Sequence, residues 1–261
     1  GRFTGVSQDQ WRAALDKTAR LGLLRPLGGG VYALHPALPA YLAAQWRADA
    51  GDAAEPERTA ALDALLTAGA AVGEWLNQQI EAGDAGTAFA LLAWQQRTLG
   101  RLLDHALTTR SYALAQAVLQ PLNAFWDARG HTAEAAAWHD RVRHALEGPA
   151  GDIPAFDTWA GALWLFVAGE QADAARRAGD LNTAETTYDA IRQQLEAAPE
   201  TDARQDRLAV TYHQLGIVAQ NRGAVDVADR WYRESLAIRE NLGDRTGMAK
   251  SYHQLGTVAQ K

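Results

Sequence analysis

The sequence predicts an all-α protein, assembled largely from helical hairpins, and three observations carry that prediction. First, TYHQLGIVAQ at 211–220 returns as SYHQLGTVAQ at 251–260, with eight of ten positions identical at an offset of 40. Self-similarity at a period of about 20–50 residues signals an array of supersecondary units. Second, alanine mixed with Leu, Glu, Arg and Gln fills long stretches, and these are strong helix formers. Third, runs with strand character are nearly absent outside one short glycine-rich stretch near the N-terminus. The 261 residues, 48% hydrophobic, are ample for a buried core and argue against general disorder.

Residues 1–49 hold the exception. Gly1–Gly5 carries no initiator Met and no signal-peptide pattern, and Val258–Lys261 stops within a helical pattern, so the chain reads as a fragment of a longer protein. Ser7 with Gln10 forms a capping box, and Trp11, Leu15 and Ala19 a helical stripe. Two short apolar strands within 23–34 flank the turn Gly28-Gly29-Gly30, which predicts a hairpin in preference to a phosphate nest. Pro36 suits the first position of a helix reaching Trp46. Helix, hairpin and helix in this order predict a small winged-helix module.

Ala50–Pro56 reads as a linker, and 57–147 as four helices forming a connector with divergent hairpins over 50–150. Gly148–Pro154 marks a second break, after which 151–261 reads as the repeat array. Its clearest unit has a first helix from about Gln205 to Arg222, a break at Gly223, a second helix from about Val225 to Leu242, and a turn over 243–247. Small residues (Gly216, Ala219, Ala228) alternate with large ones (Tyr212, Leu215, Tyr232, Leu236), so two antiparallel helices interlock. Gly179-Asp180 followed by Ala184 and Tyr188 echoes Gly223, Ala228 and Tyr232, with Gln171-Ala172 in place of the Leu-Gly pair. Gly130, Ala135 and His139 echo it again, with Leu122-Asn123 in that place.

Tyr212, Leu215-Gly216, Ala219, Ala228 and Tyr232 carry a resemblance to the tetratricopeptide repeat (TPR). The 40-residue period exceeds the common period of about 34, which implies longer helices. The stretch 236–256 resembles the long TPR variant of bacterial signalling ATPases and animal spindle-orientation adaptors. GLLRPLGGGVYALHPALPAYL (22–42) resembles the end of the winged-helix domain of STAND-class signalling ATPases, and 102–142 resembles their helical region between winged helix and repeats. The resemblance implies a right-handed TPR superhelix behind a winged helix. It implies a concave surface bearing His213, Ile217, Gln220, His253, Thr257 and Gln260 that binds a protein, peptide or small-molecule trigger. It also implies an upstream nucleotide-binding domain as partner, to whose nucleotide His35 would be the contact; here Leu34 and Pro36 flank that histidine, unlike the Met-His-Asp form of plant members. A transcriptional regulator with a DNA-reading winged helix, or a plain adaptor scaffold, are the alternatives. In the former, the helix near 8–21 would present Arg12, Lys17 and Arg20, but also Asp9 and Asp16, to phosphate.

No cysteine is present, which removes disulfide and thiolate chemistry and fits a cytoplasmic setting. No GxxxxGK[ST] loop occurs, so the chain is not expected to bind ATP alone, and no HExxH, GxSxG or EF-hand pattern points to an enzyme, a metal or a cofactor. His131, His139 and His144 cluster in sequence, yet the five-residue step from 139 to 144 places them poorly for one metal. Glu234 and Glu240 show no cleft partner, and Trp126, Trp138, Trp164 and Trp231 read as helix-packing residues. Net charge is −6 with acids and bases interleaved, and no apolar run approaches the ~20 residues of a membrane span; neither nucleic acid nor membrane is an expected partner.

Overall fold

The computed structural model describes residues 7–28, 31–148 and 151–260. Among them the fold is predominantly helical, with one small antiparallel hairpin near the N-terminus. The order is α1 (Gln8–Arg20), β1 (Leu24–Gly28), β2 (Val31–Leu34), α2 (Leu38–Ala50), a 3-10 turn (Gly51–Ala53), α3 (Ala54–Glu81), α4 (Ala85–Thr108), α5 (Tyr112–Arg129), α6 (Thr132–Leu146), α7 (Trp159–Arg177), α8 (Leu181–Ala197), α9 (Asp202–Asn221), α10 (Val225–Leu242) and α11 (Arg245–Val258). None of these helices is long and apolar enough to cross a membrane. The chain clusters into two compact units, Gly1–Thr109 with Ala117–Pro121, and Arg110–Gln116 with Leu122–Lys261.

In the first unit the capping box opens α1 as expected: Gln10 N–H donates to Ser7 Oγ at 3.3 Å, and Ser7 N–H to Gln10 Oε1 at 2.8 Å. The hairpin pairs Leu24 with Leu34, Arg25 with Ala33 and Pro26 with Tyr32. Gly29 and Gly30, on which the turn and nest readings rest, lie outside the described residues. The Tyr32 hydroxyl donates to Asp16 of α1 at 3.3 Å. Little of this region is buried: α1 has no buried residue, Trp11 is exposed, and Leu24 and Leu38 supply the apolar burial.

Two boundaries differ from expectation. Pro36 precedes α2, which starts at Leu38 with Pro39 in its first turn. Residues 36–37 form a turn instead, in which Leu38 N–H donates to the His35 carbonyl at 3.0 Å. The expected linker at 50–56 is absorbed into helix ends. Gly51, at φ +54°, breaks the chain in one residue, and Pro56 falls in the first turn of α3, where a missing N–H costs no helical hydrogen bond.

Helices α3 and α4 pack along Leu66, Ala70, Leu76, Leu99, Leu102 and Leu103, all buried. Gly69 admits the Leu102 side chain, and His105 Nε2 meets Asp63 Oδ1 at 2.7 Å. Pro121 lies inside α5. It cannot donate to the Ala117 carbonyl, and Gly73 of α3 packs directly against that carbonyl, where any Cβ would collide.

The second unit is a succession of helices, each packed on the next from α6 to α11. A left-handed glycine turns the chain each time a hairpin closes: Gly130 at φ +70°, Gly179 at +83°, Gly223 at +79° and Gly243 at +69°. The residue after each donates five residues back, His131 to Trp126, Asp180 to Ala175, Ala224 to Ala219 and Asp244 to Arg239, at 2.8–3.0 Å. This is the Schellman closure, which satisfies carbonyls that the helix end leaves free. The break after Leu146 falls where the composition placed it. Helix α10 has the expected span; α9 begins at Asp202 because Thr201 caps it through Arg204 N–H at 3.1 Å. Helix α11 begins at Arg245, two residues before the expected end of the turn, because Asp244 Oδ1 accepts from Gly247 N–H at 2.9 Å.

Among the described residues, two apolar clusters span the later helices of this unit. One joins Trp164, Ala168, Ala172, Ala184, Tyr188, Leu195, Leu208 and Leu215 across α7, α8 and α9. The other joins Ala219, Ala228, Tyr232 and Val258 across α9, α10 and α11. Trp126 and Trp164 are buried as expected, whereas Trp138 and Trp231 are half-buried.

Candidate functional site

Positions 213, 216, 217 and 220 are spaced i, i+3, i+4, i+7, so they share one face of α9. That face meets the Tyr232 ring of α10. A Cβ on Gly216 would stand 2.5 Å from Tyr232 Cε1, so only glycine admits the ring at this distance. The His213 ring centroid lies 5.4 Å from that of Tyr232, Ile217 packs against the Tyr232 cluster, and the Tyr232 hydroxyl donates to Gln220 Oε1 at 2.7 Å. Three of the expected ligand-facing residues therefore gather around one aromatic, half-buried and not freely displayed.

Their counterparts on α11 are displayed. His253 and Gln260 are exposed and Thr257 is half-buried, its hydroxyl donating to the His253 carbonyl at 3.0 Å. His253 borders an open hollow with Arg245, Thr246, Ala249 and Lys250. The sequence copies differ in environment because α10 packs on α9 through Tyr232, while no Tyr232 equivalent among the described residues covers α11.

Burial lowers the His213 imidazole to about 4, and the positive charges of Arg239 and Lys250 push the same way. The ring is thus neutral at pH 7, and its buried Nδ1 has no hydrogen-bonding partner among the described residues. The adjacent Gln214 Oε1 is in the same condition. Gln214 borders a hollow of about 220 Å³ formed by α7, α8 and α9, together with Glu170, Asp173, Tyr188, Arg207 and Thr211. Tyr188 is held strongly in its phenol form by burial and by the neighbouring Asp173. Two partnerless polar atoms on consecutive residues thus flank α9. Gln214 lies in the same duplicated decamer as His213, so the repeat itself was the signal that could have found it; its burial depends on α7 and α8, which the repeat does not report.

The equivalent places in the earlier hairpins hold different pairs. Ala172 and Tyr188 are both buried in α7–α8. In α5–α6, Asn123 and His139 occupy the Gly216 and Tyr232 places, and His139 Nε2 meets Asn123 Oδ1 at 2.8 Å. A glycine–ring contact has become a buried hydrogen bond. Burial lowers His139 to about 4, with Asp140 opposing, so it too is neutral at pH 7.

A buried polar network that the sequence did not suggest joins α9, α10 and α11. Ser235 donates to the Ala209 carbonyl at 2.7 Å, Ser235 and Ser251 Oγ lie 3.5 Å apart, and buried Arg239 donates to Ser235 Oγ at 3.1 Å. It fixes α11 on α10. His35, in the other unit, is exposed; its Nδ1 accepts from Ala37 N–H at 3.3 Å. Glu240 accepts from the Tyr252 hydroxyl at 2.9 Å, a surface contact and not a cleft pair. Among the described residues no group of three His, Cys, Asp or Glu side chains is placed to hold a metal, and His131 and His144 stand apart from the buried His139. A scan of the chain against protein-family models finds no match, and comparison with curated proteins and with solved structures finds none either.

Proposed function

We propose that this chain is the trigger-sensing TPR region of a STAND-type signalling ATPase, with a winged-helix module ahead of it and the nucleotide-binding domain upstream. The reading rests on the sequence resemblance, and one observation carries its binding part. In the most regular hairpin, Gln214 Oε1 is buried with no partner among the described residues beside the α7–α8–α9 hollow, and His213 Nδ1 is likewise buried on the side of α9 that meets Tyr232. A buried acceptor without a donor costs roughly 1–3 kcal/mol. Such a cost is recovered when a ligand brings N–H groups, and an extended peptide brings them regularly spaced. The first helices α7, α9 and α11 form the binding face, and protein or peptide is the trigger class. Binding drives signalling only to the extent that the trigger prefers the open state of the full protein.

Peptides selected from a random library on the immobilised chain test this reading. Gln214→Leu removes an acceptor that no described residue satisfies, so its melting temperature stays level or rises, while selected peptides bind about tenfold more weakly. His213→Ala with His253→Ala weakens them too; His253→Ala leaves melting level, while His213→Ala lowers it through the lost contact with the Tyr232 ring. Selected peptides indifferent to all three substitutions would overturn the reading.

A further inference from the structure

The α5–α6 hairpin departs from the later ones at the Asn123–His139 pair, and a cavity of about 150 Å³ opens there against α7. An apolar cavity of about this volume accepts benzene. This one is not apolar. His139 occupies the site of the larger Tyr188 and Tyr232 rings, so added space and added polarity occur at one place.

Most polar groups of the wall are already engaged. His139 Nε2 and Asn123 Oδ1 satisfy each other at 2.8 Å. The Asn123 amide also hydrogen-bonds Glu170. Arg177 and Asp127 pair at 3.1 Å. Gln171 is held by Arg143 and Asp140. Two further groups bear on a ligand. The Trp126 indole N–H is buried with no acceptor among the described residues. The Glu170 carboxylate makes no salt bridge among the described residues: Arg177, the cation on the same wall, is paired with Asp127, and the nearby Asp173 is paired with Arg176 at 2.9 Å. Burial raises the Glu170 carboxyl above the usual range, the Asn123 hydrogen bond opposing, with Asp173 and Asp127 raising it and Arg177 lowering it. A cation beside it would reverse that.

We propose that this cavity is a binding site for a small organic amine, of about the size of a substituted benzene, that carries a hydrogen-bond acceptor. The ammonium pairs with Glu170 and the acceptor takes the Trp126 N–H. The site shares Glu170 with the rim of the α7–α8–α9 hollow, but it is built from α5, α6 and α7, away from the Gln214 oxygen, and stands or falls independently of the peptide reading.

Three probes of one shape separate the two contacts: 3-(aminomethyl)pyridine, 3-(hydroxymethyl)pyridine and benzylamine. Binding is followed by calorimetry and by the indole N–H resonance of Trp126, assigned through Trp126→Phe. The aminomethylpyridine binds about tenfold more tightly than the alcohol, the difference between a charge-assisted and a neutral hydrogen bond, and more tightly than benzylamine. Glu170→Gln abolishes the preference for amine over alcohol. Trp126→Phe, which keeps an aromatic ring in place, abolishes the preference for pyridine over benzene. No binding at millimolar concentration, equal binding of amine and alcohol, or variants that weaken all three probes alike would each overturn the proposal.

Discussion

At the scale of single residues, one helical position decides how each hairpin closes. Gly216 lets the Tyr232 ring touch the α9 backbone, so Gly216→Ala places a methyl 2.5 Å from that ring and costs about 1–3 kcal/mol by overpacking. Gly216→Leu is expected to splay or unfold the hairpin. Gly256, its counterpart on α11, meets nothing within 4 Å of a built Cβ. Gly256→Ala therefore stabilises by up to about 1 kcal/mol through helix propensity alone. Denaturant melts of both variants check the pair, and equal effects at the two positions would contradict it. The Asn123–His139 bond makes a similar argument. Asn123→Ala leaves a buried imidazole without its partner, at a cost of about 1–3 kcal/mol. Adding His139→Tyr recreates the Ala172–Tyr188 pairing of the next hairpin, and the double variant loses less than Asn123→Ala alone.

The elements were legible in the sequence where glycine punctuates them. Helix α10 was read to the residue because Gly223 and Gly243 bracket it in left-handed turns. Helix α9 was read late because its start is set by the Thr201 cap and not by apolar periodicity. Residues 50–56 look like linker chemistry because of Gly51 and Pro56, yet one left-handed residue and a proline in a first helical turn are compatible with nearly continuous helix. The site was legible by half. The duplicated decamer pointed to His213, but placing that residue around Tyr232, and burying the Gln214 oxygen, needed the neighbouring helices. The Ser235–Ser251–Arg239 network had no sequence signal, since three polar residues on two helices read as solvent-facing. Arg239→Met tests its role: apolar burial of similar length keeps α11 docked, whereas Arg239→Ala leaves space beside Gly247 and frays α11, seen as faster amide exchange over 245–258.

At the scale of the whole molecule, one buried and one half-buried histidine make stability fall with acid. His139 and His213 both titrate near 4 in the fold and near 6.5 in the unfolded chain. The unfolded state therefore binds more protons between those values, and stability present above about 6.5 is lost as pH falls toward 4. Glu170, raised in the fold, acts in the opposite sense and blunts the loss at the acid end. Melting temperature should decline from pH 7 to 4.5, and His139→Gln with His213→Gln should flatten that limb; an unchanged slope would make the histidines accessible in solution. Calorimetry of the chain with ATP or ADP should show no micromolar binding, since no phosphate loop is present in the sequence. Tight binding would instead assign nucleotide chemistry to this chain itself. The central claim is that the first helix of each hairpin forms the recognition face. Amide hydrogen exchange with and without a library-selected peptide measures it directly. The account predicts added protection on α7, α9 and α11, centred on residues 210–217 and 250–257. Protection confined to α8 and α10, or to the first unit, would contradict it.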